Sequence, residues 1–342
     1  MKKMSESPIY DLALIGNGIA AQSFLWNLSN KKKLFEDSKS QNFTLAHIYS
    51  EALLPSCSLK STATVSLNGI DEDVSTLGND MREAFFLFDN LVKSHGPKGV
   101  EEVERVVIST NENDTKKLLR RYKKLDEIKS EKIKGLYPGV SYKSFMITPE
   151  VFSNWLSEKS FVRKTDYQFF VKNLEKHDDL YHLILEDGTI VIAKKIIFAT
   201  GAFSKIFEKF YMTTESESIE LKNQIKAGSY LERNIDLKTE SFYISIDGHQ
   251  ILYRNNAFEK KLIVGNGMTV GAFEAPDLQT LSQVFLKFKE ILSVDIGEIS
   301  DFKIITGLRH KGPKRLMICE KIDREGTLFR INGLYKNGYT MG

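Results

Sequence analysis

The stretch 10–28, YDLALIGNGIAAQSFLWNL, decides the fold that the sequence predicts. A short apolar run with alternating leucines comes first, and Gly16, Gly18 and Ala21 follow where a buried strand would turn into a helix. Two further leucines continue the apolar stripe of that helix at spacings of four and three. The pattern predicts a strand, a glycine-rich turn and a helix.

Each small residue of this turn has its own physical reason. Gly16 allows a tight turn, and Gly18 has no Cβ, so a pyrophosphate can approach the backbone and meet the free N–H groups at the positive end of the helix. Ala21 stands where a third glycine is usual, and its methyl group is small enough for the helix to pack on the strand. A plain glycine-rich turn is the alternative, but strand, turn and helix stripe together predict a dinucleotide site.

Length and composition indicate a soluble globular protein with two interlocked domains. The chain has 342 residues, which is long for a single core, and 42% of them are hydrophobic and 27% charged. Lysine and arginine number 48 against 45 acidic residues, so the net charge of +3 is too balanced to indicate a nucleic-acid partner. A nucleic-acid partner would need a local basic patch on the surface, and that alternative stays open.

Cysteine use and hydropathy favour a cytoplasmic protein. Only Cys57 and Cys319 occur, far apart and in no CxxC motif, so neither a disulfide framework nor a metal site is expected. No uninterrupted apolar run approaches the ~18 residues needed to span a bilayer, so no membrane partner is expected either.

Candidates for further cofactor contacts follow the second predicted strand, residues 43–49. Glu51 is the nearby carboxylate that could accept ribose hydroxyls, although its separation from Gly16 exceeds the usual ~20 residues and a surface carboxylate is the alternative. The run 55–68, PSCSLKSTATVSLN, offers hydroxyl and N–H donors that could wrap a phosphate or a ring, or form only a loop.

Two later stretches have competing interpretations. The stretch 114–134 predicts a helix with lysine and arginine on one side, which could contact RNA but is more commonly a solvated face. The stretch 262–271, LIVGNGMTVG, superficially repeats the strand and the GxG motif. Val270 is branched where a small residue is needed and Pro276 would cut off the helix, so we predict a strand with a glycine-rich turn.

Three segments in this order resemble the FAD-dependent oxidoreductases of the D-amino-acid oxidase, glycine oxidase and sarcosine oxidase family. They are LALIGNGIAA (12–21), KKIIFATGAFS (194–204) and GLR (307–309) followed by NGLYKNGYTMG (332–342). The resemblance spans the whole chain, with looser matches in between. It implies an α/β fold: a GR2-type FAD-binding Rossmann-like domain (1–75, 150–215 and 300–342) interleaved with an α+β substrate domain built on an antiparallel sheet (76–149 and 216–299).

The resemblance also implies roles for individual residues. Those expected at the cofactor, from the pyrophosphate through the ribose to the flavin ring, are Gly16, Gly18, Ile19, Ala20, Ala21, Glu51, Ser61, Thr62, Thr200, Gly201, Lys336, Asn337, Gly338 and Tyr339. Arg309 falls on the arginine of the GLR segment, which in several members binds the substrate carboxylate. The alternative is that Arg309 pairs with a carboxylate and ties the two domains together. His310, the next residue, is the histidine that we consider a candidate for a catalytic role.

Two departures from the family pattern matter. The Tyr-x-x-Pro-Arg type segment appears here as His249-Gln-Ile-Leu-Tyr253-Arg254, which makes Tyr253 and Arg254 further candidates at the substrate. Residue 307 is glycine where sarcosine oxidases carry the cysteine of a covalent flavin. We therefore expect non-covalent FAD.

The function implied is that of an FAD-dependent amine or amino-acid oxidase or dehydrogenase. Hydride transfer from the α C–H of a small amino acid or secondary amine to flavin N5 would leave an imine, and oxygen or another acceptor would take the electrons. Two alternatives stay open: a tRNA-modification flavoprotein of related fold, and a flavin-binding protein without amine oxidase activity.

Overall fold

The computed structural model describes residues 8–30, 43–50, 57–67, 76–122, 124–160, 162–208, 210, 224–265, 270–271, 274–312, 317–334 and 339. The helices within these ranges are α1 (Ile19–Asn30), α2 (Thr76–His95), α3 (Glu112–Tyr122), α4 (Pro149–Lys159), α5 (Ser204–Glu208) and α6 (Leu278–Ile291), with 3-10 turns at Gly201–Phe203 and Ile299–Asp301. The strands are β1 (Ile9–Tyr10), β2 (Leu12–Ile15), β3 (Leu45–Ile48), β4 (Thr64–Ser66), β5 (Val100–Ile108), β6 (Asp126–Ile128), β7 (Tyr137–Ile147), β8 (Lys164–Tyr167), β9 (Val171–His177), β10 (Leu180–Leu185), β11 (Ile190–Ala193), β12 (Ile196–Phe198), β13 (Gln224–Asn234), β14 (Phe242–Ile246), β15 (His249–Asn255), β16 (Lys260–Gly265), β17 (Val270–Gly271), β18 (Lys303–Lys311), β19 (Ile318–Lys321) and β20 (Leu328–Asn332).

A six-stranded sheet in the order β19-β20-β12-β2-β3-β8 holds the predicted strand and turn. All neighbours in it are parallel except β19, which runs antiparallel to β20. All four residues of β2 are buried, as a central parallel strand with both faces covered requires. Ala21 and Leu25 of α1 pack against this sheet. The predicted strand, turn and helix are thereby confirmed.

Gly16 at the end of β2 is a glycine for two reasons. Its backbone lies at φ +117°, which side-chain-bearing residues rarely adopt. A Cβ at this position would lie 2.3 Å from the carbonyl oxygen of Ala199, at the end of neighbouring β12. The turn therefore passes directly over the adjacent strand end.

A large mixed sheet forms the second layer, with strand order β17-β13-β16-β15-β14-β5-β7-β4. Strand β18 pairs with β13 and β6 pairs with β7, and the one parallel contact is between β14 and β5. Helix α6 covers one face, where its buried residues Leu281, Val284, Phe285, Phe288 and Ile291 follow helical spacing. The opposite face carries Tyr230, Tyr243, Leu252 and Ile263.

A third, four-stranded sheet in the order β1-β11-β10-β9 contains a β-hairpin. Strands β10 and β11 pair antiparallel around Asp187 and Gly188, and Gly188 has φ +87°. Helix α4 begins at Pro149, directly after Thr148. The Thr148 hydroxyl makes no capping hydrogen bond and lies 3.2 Å from Glu259 Oε1 instead.

The second GxG segment is not part of a parallel nucleotide-binding unit. Strand β16, which precedes it, pairs antiparallel with both β13 and β15 in the large sheet. Residues 266–269 lie outside the described part of the chain. The position of β16 agrees with the predicted strand.

The division of the chain into two interleaved domains stays a prediction. Every strand of the six-stranded sheet lies within 1–75, 150–215 or 300–342. Strands β4 and β18 also lie in these ranges, yet they pair into the large sheet. Across the described ranges, no helix is both long enough and apolar enough to cross a membrane.

Candidate active site

A cavity of ≈450 Å³ lies where α1, the turn 57–62 and the large sheet meet. Its walls come from the start of α1, from the ends of β12 and β20, and from the face of the large sheet opposite α6. The cavity therefore joins the predicted dinucleotide turn to the predicted substrate sheet.

The first end of the cavity is the start of α1. Gly18, Ile19 and Ala20 line it, and the Ile19 N–H donates to Ser58 Oγ at 2.9 Å. A Cβ on Gly18 would lie 3.4 Å from the same hydroxyl oxygen. This end thus offers backbone N–H groups, the positive end of a 12-residue helix and a hydroxyl group, which suits a phosphate.

His47 supports this turn from beneath, which sequence reasoning missed. The ring is 2% exposed, and Nε2 lies 2.9 Å from the Gly16 carbonyl oxygen. A carbonyl only accepts, so Nε2 donates. Nδ1 lies 2.9 Å from Asp166 Oδ1 on β8. The only available signal was that His47 lies on the strand next to the turn.

The remaining predicted cofactor residues from the N-terminal half fall on or beside the cavity. Ser61 and Thr62 line it, and Ser61 Oγ accepts from the Ala63 N–H at 3.1 Å. Thr62 Oγ1 lies 3.3 Å from Gln250 Nε2, which donates to it from the large sheet. Ala21 is fully buried between α1 and the sheet and does not line the cavity. Glu51 lies outside the described residues.

The C-terminal half contributes Gly201 and Tyr339. Gly201 has φ +55°, lines the cavity and accepts a 3.0 Å hydrogen bond from Asn332 Nδ2 through its carbonyl oxygen. Tyr339 lines the cavity and its hydroxyl donates to the Ser58 carbonyl at 2.8 Å. Thr200 Oγ1 is buried and has no hydrogen-bond partner in the described part of the chain. Lys336, Asn337 and Gly338 lie outside it.

Arg309 lines the cavity from β18. Its guanidinium lies across the neighbouring strand, where a Cβ on Gly228 would be only 2.7 Å from Arg309 Cζ. Burial raises the pKa of the Cys57 thiol above its usual 9.0, and the nearby Arg309 guanidinium, which acts to lower that pKa, does not offset the effect of burial. Among the described residues Arg309 has no carboxylate partner, so the alternative in which it ties two domains as an ion pair finds no partner there.

Gly307, two residues before Arg309 on β18, is a glycine for a steric reason. A Cβ there would lie 2.9 Å from the Lys60 carbonyl oxygen and 3.4 Å from Cys57 Sγ. The turn 57–60 therefore passes too close to β18 for a side chain at 307, including a cysteine.

The other predicted substrate residues separate into two groups. His310 is 4% exposed and lines the cavity. Tyr253 lies on the α6 side of β15, and its hydroxyl accepts from the Leu237 N–H at 3.0 Å. Arg254 is 1% exposed, pairs with Glu259 Oε1 at 3.0 Å and donates to the Thr62 carbonyl. Neither Tyr253 nor Arg254 lines the cavity.

Arg105 on β5 lines the cavity and was not singled out from the sequence. It is 8% exposed. Its Nε and Nη2 donate to Ser245 Oγ at 3.2 and 2.9 Å, and its Nη1 donates to Ser66 Oγ at 2.8 Å. Its Cζ lies 4.4 Å from the centre of the Tyr243 ring, within the range of a cation–π contact. The available signal was the alternation of β5, which places Arg105 on the same face as Val103 and Val107.

The charge of the cavity is one-sided. Three arginines line it, Arg105, Arg121 and Arg309, while no aspartate or glutamate is among its described lining residues. Such a cavity favours anionic ligands. No group of three side chains suited to a metal ion occurs in the described ranges.

Helix α3 is the basic helix for which RNA contact was considered. Lys116 pairs with Glu112 at 2.6 Å, and Lys117 pairs with Asp114 at 2.5 Å. Part of its positive charge is therefore balanced within the helix, and the nucleic-acid alternative stays an untested prediction.

Comparison with known proteins identifies the fold. No protein-family model and no curated protein sequence matches the chain. Glycine oxidase from Geobacillus kaustophilus aligns with a TM-score of 0.72 at 13% identity, over 97% of this chain and 91% of that chain. L-α-glycerophosphate oxidase from Mycoplasma pneumoniae, with FAD bound, aligns with a TM-score of 0.73 at 14% identity, over 98% and 92%. L-proline dehydrogenase from P. horikoshii gives 0.74 at 13% identity, over 98% and 90%.

These matches confirm the predicted resemblance at the level of the fold. The chain has the fold of these oxidases and dehydrogenases, with a Rossmann-like sheet next to a large, mainly antiparallel one.

Proposed function

We propose that the protein is an FAD-dependent oxidoreductase that oxidises the C–N bond of a small amino acid or secondary amine. One observation carries the proposal: the glycine-rich turn at the start of α1 and Arg309 border the same cavity, and no described acid lines it. The proposed dinucleotide site and the proposed carboxylate-binding arginine thus border one cavity.

The residues at the first end of the cavity fit FAD. The N–H groups at Gly18, Ile19 and Ala20 would hold the pyrophosphate, and Ser61 and Thr62 would offer hydroxyls. The buried Thr200 Oγ1, which lacks a described partner, is the kind of group that a bound cofactor satisfies. Glu51 for the ribose and residues 336–339 for the flavin end complete the proposed set. The bound flavin would supply the hydride acceptor.

The attachment of FAD is proposed to be non-covalent. Gly307 offers no side chain, and the close turn 57–60 explains why none fits there. Cys57 is the cysteine that lines the cavity, while Cys319 is exposed elsewhere. A covalent attachment through a cysteine would therefore have to involve Cys57.

Arg309 would bind the substrate carboxylate and so hold the α-carbon in place. A planar guanidinium makes two parallel hydrogen bonds to a carboxylate, which fixes orientation as well as position. Positive charge around the cavity also disfavours an ammonium group, so it would lower the pKa of the substrate amine towards the neutral, oxidisable form. Loss of hydride from the neutral amine then leaves an iminium ion, which releases a proton to give the imine. Water hydrolyses the imine, and oxygen or another acceptor takes the electrons.

The proposal is tested by anaerobic reduction of the purified, FAD-loaded protein with a panel of amino acids and secondary amines. At least one of them should bleach the visible flavin absorbance. Arg309→Leu should lower kcat/KM for it by about 30-fold to several thousand-fold, because truncating one partner of a buried charge pair costs ~2–5 kcal/mol. Arg309→Lys should recover only part of this, since a point charge cannot replace the two-pronged donor.

Two controls separate cofactor from substrate. Gly18→Val should abolish FAD binding while the protein stays folded, because a branched side chain would occupy the space of the pyrophosphate. Arg120→Leu removes the same charge from an exposed position on α3 and should leave turnover unchanged. Bound FAD that no amine reduces would refute the proposed reaction, and normal turnover in Arg309→Leu would refute the proposed anchor.

A further inference from the structure

Arg105 is a buried cation with no described counter-charge. It is 8% exposed, and its hydrogen bonds within the described chain go only to the hydroxyls of Ser66 and Ser245. Burying a charge without an ion partner costs several kcal/mol, because hydroxyl groups replace only part of the lost hydration. A group that costs stability and borders a cavity is a candidate ligand-binding residue.

The hydroxyl contacts also orient the guanidinium. Arginine has five N–H donors, and the contacts to Ser66 and Ser245 use three of them. The two that remain are one on Nη1 and one on Nη2. Two such donors side by side suit the two oxygens of a carboxylate.

Arg105 and Arg309 project from the same face of the large sheet. Arg105 of β5 pairs in register with Tyr243 of β14, and Gly228 of β13 pairs in register with Gly307 of β18. The Arg309 guanidinium lies over β13, while that of Arg105 contacts Ser245 of β14. Between these strands lie β15 and β16, so the two cations are three strand spacings apart, about 14 Å along the sheet. Tyr230 and Gln250 line the cavity between them.

We infer that Arg105 binds a second carboxylate of the substrate, so that the substrate is an acidic amino acid. This inference rests on the proposed function, in which Arg309 holds the α-carboxylate. Two carboxylates separated by a short carbon chain would then bridge Arg309 and Arg105. Each carboxylate would also supply the counter-charge that its arginine lacks among the described residues.

Equilibrium binding tests this without turnover. The probes are glutarate, a five-carbon dicarboxylate, and pentanoate, a monocarboxylate of the same length, titrated calorimetrically into the FAD-loaded protein. Wild type should bind glutarate about tenfold more tightly or better, the gain expected from one charged hydrogen-bonded contact. Arg105→Met should lose this preference and Arg105→Lys should keep part of it. Arg120→Met, a matched loss of one exposed charge, should keep all of it.

Stability provides the second readout. Methionine keeps an unbranched, flexible side chain and removes an unbalanced buried charge, so Arg105→Met should melt at the same temperature as wild type or higher. Equal affinity of wild type for the two probes would overturn the inference. An unchanged glutarate preference in Arg105→Met would also overturn it. If the melting temperature of that variant fell markedly as well, Arg105 would have a structural role.

Turnover separates this inference from the function on which it rests. Glutamate should reduce the bound flavin with a kcat/KM about tenfold or more above that of norvaline, its uncharged counterpart of equal chain length. Equal rates with the two amino acids would leave the proposed function standing and overturn the role of Arg105. Failure of every amine to reduce the flavin would instead refute the proposed function.

Discussion

Arg254 and Arg105 are both buried in the large sheet, but their surroundings are opposite. Arg254 is 1% exposed, pairs with Glu259 and is not among the described residues that line the cavity, although it donates to the carbonyl oxygen of Thr62, which does. Arg105 is 8% exposed, borders the cavity and has only hydroxyls and two aromatic rings as described partners. A buried arginine with a carboxylate partner fastens structure, whereas one without is available to a ligand. Arg309 belongs with Arg105 by this criterion.

The largest expected effect is on stability, at Arg254. Arg254→Met should lower the free energy of unfolding by about 3 kcal/mol, because the Glu259 side chain, which is 12% exposed, would keep only Lys261 as a charged partner among the described residues. Denaturant unfolding of this variant beside Arg105→Met measures the contrast. Equal losses in the two variants would erase the distinction between the two arginines.

A second prediction concerns the space beneath Arg309. A Cβ on Gly228 would lie 2.7 Å from Arg309 Cζ, so Gly228→Ala should displace the guanidinium. Because small misplacements of a positioning group are costly, kcat/KM should fall by about 10- to 100-fold with little change in FAD binding or stability. Gly271→Ala is the control, since its methyl would meet only the end of the Glu274 side chain, and neither residue is among those that line the cavity. Unaltered kinetics in Gly228→Ala would mean that Arg309 does not position the substrate.

The smallest expected effect is a pH dependence specific to the Arg254 region. Burial raises the pKa of the Glu259 carboxyl, but Arg254 and Lys261 outweigh it and hold the pKa below its usual 4.5. Stabilisation from a carboxyl with a lowered pKa is complete above the unfolded-state value and is lost as the pH falls through the folded-state value. The stability difference between wild type and Glu259→Gln should therefore shrink below pH 4.5.

The Arg105 region supplies the comparison for this pH series. Arg105 has no described carboxylate partner, so the stability difference between wild type and Arg105→Met should stay constant over the same acid range. Unfolding curves at several pH values measure both differences. An Arg105→Met difference that also vanishes in acid would reveal a carboxylate partner.

The dinucleotide end was predictable because its determinants are local. Gly16, Gly18 and Ala21 lie within one strand, turn and helix, so spacing along the chain already specifies their geometry. Arg309 was reached through resemblance, and the fold brings it to the cavity. His47 was missed since nothing in the sequence shows which face of β3 lies under the turn.

The substrate end was less predictable because it is assembled across the large sheet. Arg105 binds Ser66 and Ser245, which are 39 and 140 residues away along the chain. Tyr253 and Arg254 follow each other on β15, so their side chains point to opposite faces, and only the packing of the sheet decides what each face meets. Tyr253 meets the core beneath α6, and Arg254 meets Glu259.

If the cavity between the glycine-rich turn and Arg309 holds FAD non-covalently, the absorbance spectrum of the purified protein will show it. We expect flavin absorbance that passes into the supernatant as intact FAD when acid precipitates the protein. Colour that stays with the precipitate, and is lost in Cys57→Ser, would contradict non-covalent attachment. A colourless protein that takes up no added FAD would contradict FAD binding itself.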